Sequence, residues 1–467
     1  MEGLEVSVVR LSKIDEFNES LRLDAEFFGK FPLHIVARVK ASTHSSVTDV
    51  VKRIQHPIEI AREYEENGLL TIMAGNVRDN FVSLDDQRFM PETARSLVAK
   101  NRLQFGDVLM TRTGANFGNT APWKHSEIEA FACADVLVFR EPSIPSGFLS
   151  SYLSSKAGQA LVIRGGYGMA QPHIAPSYLQ NMIVPRFEHL EQQVDDLVDQ
   201  SNDLGRTAAA SLAEAEAALL SALGLAGWTP PEPLSYTARA ADALSAARLD
   251  AQYFMPSKLQ MIDALQAMSG QPLGARFKSV REMFDPTRAD PDLLVRNFDL
   301  PDALNPILDD DKELAASGDI GSLKKTMRNG DVAMSRLRAY LKETAVVRTG
   351  TSNLVVGSSE FLVLRPADPK TNVIAPETLM IFLRSAPVQT ILKWCQDGSQ
   401  HPRFSERDLL AIPVPDAVAD ASAEIETLVQ SAFAARARSC ALLASAKRAV
   451  EIAIEQGEAA ALAFLGR

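Results

Sequence analysis

The chain has 467 residues, 46% hydrophobic and 23% charged, enough for two or three domains that each bury a core. No apolar run approaches the roughly 20 residues of a membrane span, the acidic start reads as neither signal nor transit peptide, and Cys133, Cys395 and Cys440 form no CxxC pattern, so a cytoplasmic protein without disulfides or thiolate metal sites is expected. A formal charge of −11 speaks against nucleic acid, but the acids concentrate in 186–226 and 416–467, whereas 324–348 holds seven bases against two acids.

In chain order, "RLDAEFF" (22–28) comes first. A strand and glycine-rich turn follow, "GDVLMTRTGANFGNTA" (106–121), then the strand "VLVFREP" (Val136–Pro142). A short helix fits 147–163, and "GGYGMAQPH" (165–173) is a second glycine-rich loop. After Pro185 the steps of three and four through Leu190, Val194, Leu197, Ser201, Leu204, Ala208, Ser211 and Ala215 predict a helix over 188–223 with a coiled-coil seam. "GLAGWTPPEP" (224–233) stops it.

The same series then recurs: "RLDAQYF" (248–254), "GDVAMSRLRAYLKETA" (330–345), "FLVLRP" (Phe361–Pro366), a helix over 376–393, and an exit at Pro415. Eight of sixteen positions in the strand–turn segment are identical without a gap. The offsets of 226, 224 and 230 keep one order, so a domain is duplicated rather than a solenoid repeated. After Pro415 a second seam runs through Ile425, Leu428, Ala432, Ala435, Ser439, Leu442, Ala446, Ala449 and Ala453. Alone, neither Ala-rich helix buries enough apolar surface, so the two are expected to pack antiparallel as a rod. A 36-residue helix is about 54 Å long at 1.5 Å per residue, roughly 16 base pairs of duplex.

Two such α/β (α+β) domains alternating with two long helices resemble the specificity (S) subunits of type I restriction-modification systems, over essentially the whole chain. The resemblance implies target-recognition domains at 1–185 and 227–415 and spacer helices at 186–226 and 416–467. It further implies a non-catalytic subunit that reads a split DNA site. Its partners would be double-stranded DNA, two methyltransferase subunits that carry AdoMet, and a restriction or translocase subunit as an open third component. "IVPRFEHLEQQV" is close to the family's entry into the helix, with Glu191 and Gln192 at its Glu-Gln docking position. The second exit, "IPVPDAVADASAEI", lacks that pair, and the degenerate C-terminal helix fits a divergent branch serving another methylation-linked phage-defence assembly.

For DNA contact the candidates are bases and amides in the repeated loops, since Arg and Lys grip phosphate or guanine and Asn or Gln reads adenine. Arg112 and Arg336 close the repeated strand at equivalent positions; the alternative for them is a buried pair with Asp107 or Asp331. Asn116, Asn119 and Lys124 in the first turn differ from Arg338, Tyr340 and Lys342 in the second, as readers of different half-sites require and as unconstrained surface loops also show. Gln171 and His173, with His401 and Arg403, occupy the second pair of loops. Phe27–Phe28 and Tyr253–Phe254 read as core.

Catalytic signals are weak. The sole Pro-Pro lies in a linker, and neither glycine-rich loop has the strand–helix frame of an AdoMet turn. Asp302, Asp310 and Lys312 superficially match a nuclease metal site, in a stretch that reads as an acidic loop entering a helix. Two alternatives therefore stand beside the DNA reader: a stand-alone metal-dependent nuclease and a duplicated protein-binding scaffold.

Overall fold

The Gly-Asp step that opens each repeated strand folds as a turn in which both residues have a defined task. In the computed structural model, described for residues 8–10, 14, 18, 22–25, 27–59, 63–65, 67–84, 87–114, 116–168, 172–350 and 352–466, Gly106 and Gly330 both stand at φ 88°. That region favours a residue without Cβ. The following carboxylates fold back: Asp107 accepts the Gln104 N–H at 2.7 Å and Asp331 the Arg328 N–H at 2.8 Å. Each also takes an arginine from the neighbouring strand, Arg140 in the first copy and Arg365 in the second.

The chain divides into two units, one holding residues up to Arg206 with Ala435 onward, the other Thr207–Ala434. The division falls inside both long helices rather than at their ends. Unit one contains a four-stranded sheet of β1 (Val51–Gln55), β2 (Val108–Thr111), β3 (Thr120–Pro122) and β4 (Val136–Pro142), in the order β1-β4-β2-β3. All its pairings are antiparallel. A three-stranded sheet of Arg88–Met90, Leu69–Ile72 and Ala130–Ala132 lies in the same unit. Leu109, Trp123, Val136 and Val138 share one apolar cluster with Ile72 of that second sheet.

Unit two repeats the plan with β5 (Phe277–Ser279), β6 (Ile307–Asp309), β7 (Val332–Ser335), β8 (Thr344–Arg348) and β9 (Phe361–Pro366), ordered β5-β9-β7-β8-β6. The strand β6, parallel to β8, extends the sheet beyond the first copy's four. The register also repeats: Val108 faces Phe139 as Val332 faces Leu364. Both exit prolines end strands paired to the start of their own copy, Pro185 opposite His44 and Pro415 opposite Gly270.

One expectation is corrected twice in the same way. The helix read over 147–163 is α1 (Ser146–Ser154) and α2 (Lys156–Arg164), broken at Ser155; that over 376–393 is α3 (Pro376–Arg384) and α4 (Ala386–Lys393), broken at Ser385. Both serines are extended, and each hydroxyl donates at 2.6 Å to the carbonyl three residues back, Tyr152 or Phe382. Gln159 and Gln389 then donate to the Leu153 and Leu383 carbonyls that the break exposes. Side chains thus replace the interrupted backbone ladder.

The central long helix spans Leu190–Ala222 and passes through Gly205 unbroken. After Pro415 come a short helix (Asp416–Asp420), the C-terminal long helix (Ser422–Gln456) and a final helix (Glu458–Leu465) set off by Gly457 at φ 94°. In unit one, Leu190, Val194 and Val198 share a core with Leu443, Ala446, Ala449, Val450 and Ala453. The helices run antiparallel there, since Ser201 meets Ser439 while the Leu190 N–H reaches Glu458. In unit two, Ala215, Leu219 and Leu223 share a core with Ile425 and Val429. Val198 and Leu443 take the buried places expected of Leu197 and Leu442.

Candidate nucleic-acid interface

In both units the strand–turn segment and the second glycine-rich loop come together at one equivalent point. Thr113, just after β2, forms an antiparallel bridge with His173; Leu337, just after β7, forms one with Arg403. Those positions correspond through the repeat offsets. Gly168 and Gly398, matched in the repeat, stand at φ 94° and 96°, so the two loops turn alike.

The first site is built on Asp135. Its carbonyl accepts the Arg112 N–H at 2.8 Å and its carboxylate accepts the Thr113 hydroxyl at 3.1 Å. The half-buried Arg112 side chain lies 3.0 Å from the His56 ring nitrogen. His173 pairs with Tyr167, their rings 6.0 Å apart. Asn116 and Asn119 are half-buried in the turn, with the Asn119 amide donating to the Val77 carbonyl at 3.3 Å.

The second site is more basic and centres on Glu360, which the repeat places where the first copy has Asp135. Glu360 binds Arg336 at 2.7 Å and Arg403 at 3.0 Å. Those two guanidiniums, Arg403 foremost, pull its carboxyl from an ordinary 4.5 down to about 2. Arg338 and Lys342 both hold positive φ, 49° and 54°, around the short turn that carries Tyr340. The Arg338 N–H donates to Pro402 at 2.8 Å and its guanidinium reaches Gln400 and His401 at 3.3 Å. Tyr340 is 60% exposed, and His401 is also exposed.

Several sequence expectations are corrected by this placement. Arg112 and Arg336 do not pair with Asp107 and Asp331, because Arg140 and Arg365 occupy those carboxylates from the neighbouring strand. Lys124 is not exposed in the turn: it is 7% exposed and lies between Asp195 at 3.0 Å and Asp199 at 2.8 Å on the central helix. Glu191 is buried as well. Its buried carboxylate binds Arg186 and accepts the Phe187 N–H, closing the start of its own helix. Gln192 is exposed and bonds Asp196 one turn on. Gln171 lies outside the described residues.

The nuclease-like cluster closes on itself. Lys312 binds both oxygens of Asp302 at 2.9 Å, and Asp302 also caps a short turn at the Asp299 N–H. Asp310 turns to Arg296 and the Gly350 N–H. Among the described residues, no group of three or more His, Cys, Asp or Glu is placed to hold a metal ion.

Sequence reading missed Arg140, Arg365, Asp135 and Glu360. The signal was present, since both copies carry an acid just before the strand and an arginine inside it, "DVLVFR" and "EFLVLR".

Fold and sites together define a duplicated α/β chain with one two-loop site in each unit. No protein-family model and no curated protein matches it. Among solved structures it is similar to the S subunit of a type I restriction-modification system from M. genitalium, at 10% identity and TM-score 0.40, covering 88% of this chain and 95% of that one. It is also similar to a chain from work on complex assembly and conformational transition of the type I R-M system, at 14% identity, 89% and 97% coverage and TM-score 0.29. The HsdS subunit from Thermoanaerobacter tengcongensis gives 14% identity, 89% and 97% coverage and TM-score 0.26.

Proposed function

We propose that the chain is a DNA sequence-specificity subunit that reads a bipartite duplex target, one half with each unit. The observation that supports this most is the pair of matched bridges, Thr113–His173 and Leu337–Arg403, which build one scaffold twice and fill it with different side chains. Asn116, Asn119 and His173 offer amides and an imidazole, suited to adenine edges and phosphate; Arg338, Tyr340, Lys342 and His401 offer cations and an aromatic face, suited to guanine edges and backbone. A protein that bound one ligand twice would keep those residues alike.

In this reading the long helices fix the spacing between halves and dock two methyltransferase subunits, with Gln192 on the exposed helix surface. The chain itself is non-catalytic and carries no cofactor; AdoMet belongs to the partner, and a restriction or translocating subunit would join as a third component. Such a protein works in the cytoplasm, in phage defence. Among the described residues no helix is long and apolar enough to cross a membrane.

Equilibrium binding to duplex libraries over a salt series tests the proposal. Sequence-selective binding that weakens steeply with salt, and tightens when the partner methyltransferase is added, is expected. Magnesium-dependent cleavage by the isolated chain, abolished by Lys312→Ala, would overturn it in favour of a nuclease.

A further inference from the structure

The two copies of "RLDA" fold into the same device. Arg22 forks both oxygens of Asp24 through Nε and Nη2, at 2.7 and 2.9 Å; Arg248 forks Asp250 at 2.6 and 2.8 Å. The guanidinium stands over the ring of the motif's own aromatic residue, Phe27 at 5.3 Å or Tyr253 at 4.7 Å. That ring meets the next one edge-on in each copy, at 5.1 and 5.2 Å. Each guanidinium has further N–H groups, and these reach the chain where it enters the second glycine-rich loop. Arg22 donates to the Arg164 carbonyl at 3.1 Å and to Gly166; Arg248 donates to the Gln396 carbonyl at 3.3 Å. Gly166 and Gln396 are equivalent through the 230-residue offset.

From those carbonyls the contacts lead directly into the interface. In unit one, Gly166 pairs with Ile174 and Tyr167 with His173, which bridges Thr113. In unit two, the Gln396 side chain accepts the Ala339 N–H at 3.0 Å, inside the turn bearing Arg338 and Tyr340, and the next residue, Asp397, bridges Arg403. Leu23 and Leu249, between the forked residues, are 73% and 88% exposed, so packing of that leucine is not what the repeated motif preserves.

We infer that Arg22 and Arg248 are positioning residues for the two loop sites, each setting the loop of its own unit from behind and so governing one half of the target. Lysine cannot replace them: a point charge satisfies the aspartate or the carbonyl, not the planar arrangement of both. The inference rests on the DNA reading for its functional half, while its structural half stands without DNA.

Amide hydrogen exchange and selection from randomised duplexes test the two halves on the full chain. Arg248→Lys is expected to speed exchange at Ala339 and across 396–404 by roughly ten-fold or more, leaving 113 and 172–174 unchanged and the melting temperature of unit two close to wild type. Arg22→Lys does the reverse. In selection, Arg248→Lys blurs one half of the enriched motif, losing roughly ten-fold discrimination there, and Arg22→Lys blurs the other. Unchanged loop exchange, or a lowered melting temperature with both halves still read, overturns the inference. Altered exchange with no motif enriched even by wild type leaves the loop device standing and overturns the DNA reading together with the half-site role.

Discussion

Ser201 and Ser439 each donate a hydroxyl to the other's backbone carbonyl, at 3.1 and 3.0 Å, with their oxygens 2.8 Å apart. Two helices can exchange such bonds only where their backbones run close, which small seam residues allow.

Enlarging that contact separates the helices. Ser439→Leu is expected to destabilise unit one by about 1–3 kcal/mol, as overpacking does. The double change Ser201→Ala with Ser439→Ala removes both partners together and costs far less, below about 1 kcal/mol. Urea denaturation of both variants measures the difference.

The duplicated aspartate–arginine pair predicts unequal costs. Asp107→Ala strands Arg140 in a site where both side chains are at most 5% exposed, and is expected to cost about 3–5 kcal/mol. Asp331→Ala costs less, because Arg365 is 21% exposed and water replaces part of what is lost. Comparing the two variants by denaturant unfolding checks the order.

How far the sequence disclosed this architecture depends on the physical signal involved. Repetition exposed the duplicated sheet, since matching strands need matching patterns, and seam spacing exposed both long helices. Breaks at Ser155 and Ser385 left no trace in periodicity, because a hydroxyl and a glutamine amide substitute for the missing backbone bonds. Lys124 and Glu191 misled for another reason: a charged residue in a loop or at a helix start reads as exposed, and only the fold brings Asp195, Asp199 and Arg186 against them. The loop residues were identified as a set, yet their partners, Glu360 above all, come from other segments of the chain, 24 residues from Arg336 and 43 from Arg403.

Lys124 and Arg338 should therefore respond differently to truncation. Lys124→Ala is expected to destabilise unit one, on the order of 2 kcal/mol, by leaving the Asp195 carboxylate without its cation and with only the Gly147 N–H, with base preference unaltered. Arg338→Ala is expected to cost no more than about 1 kcal/mol of stability, since the half-buried side chain gives up only its contacts to Gln400 and His401, and to weaken duplex binding by about 1–3 kcal/mol at one half. Melting curves beside binding isotherms separate the two.

Glu360 gives a pH signature. Its folded pKa of about 2 lies below the ordinary 4.5, so its contribution to stability is fully present above pH 4.5 and is lost as pH falls from there toward 2. Glu360→Gln removes that dependence and frees Arg336 and Arg403. Binding to duplex then tightens, loses selectivity, and steepens with salt by about one to two units of log–log slope. Acid titrations and salt series on wild type and variant report both effects.

Selection of bound duplexes from a randomised pool by the full chain with its methyltransferase partner tests the central claim most directly. Two short blocks of specified bases, separated by a fixed number of unspecified pairs, is the predicted outcome. A single uninterrupted block, or two blocks whose separation varies freely, would contradict a reader with one site in each unit.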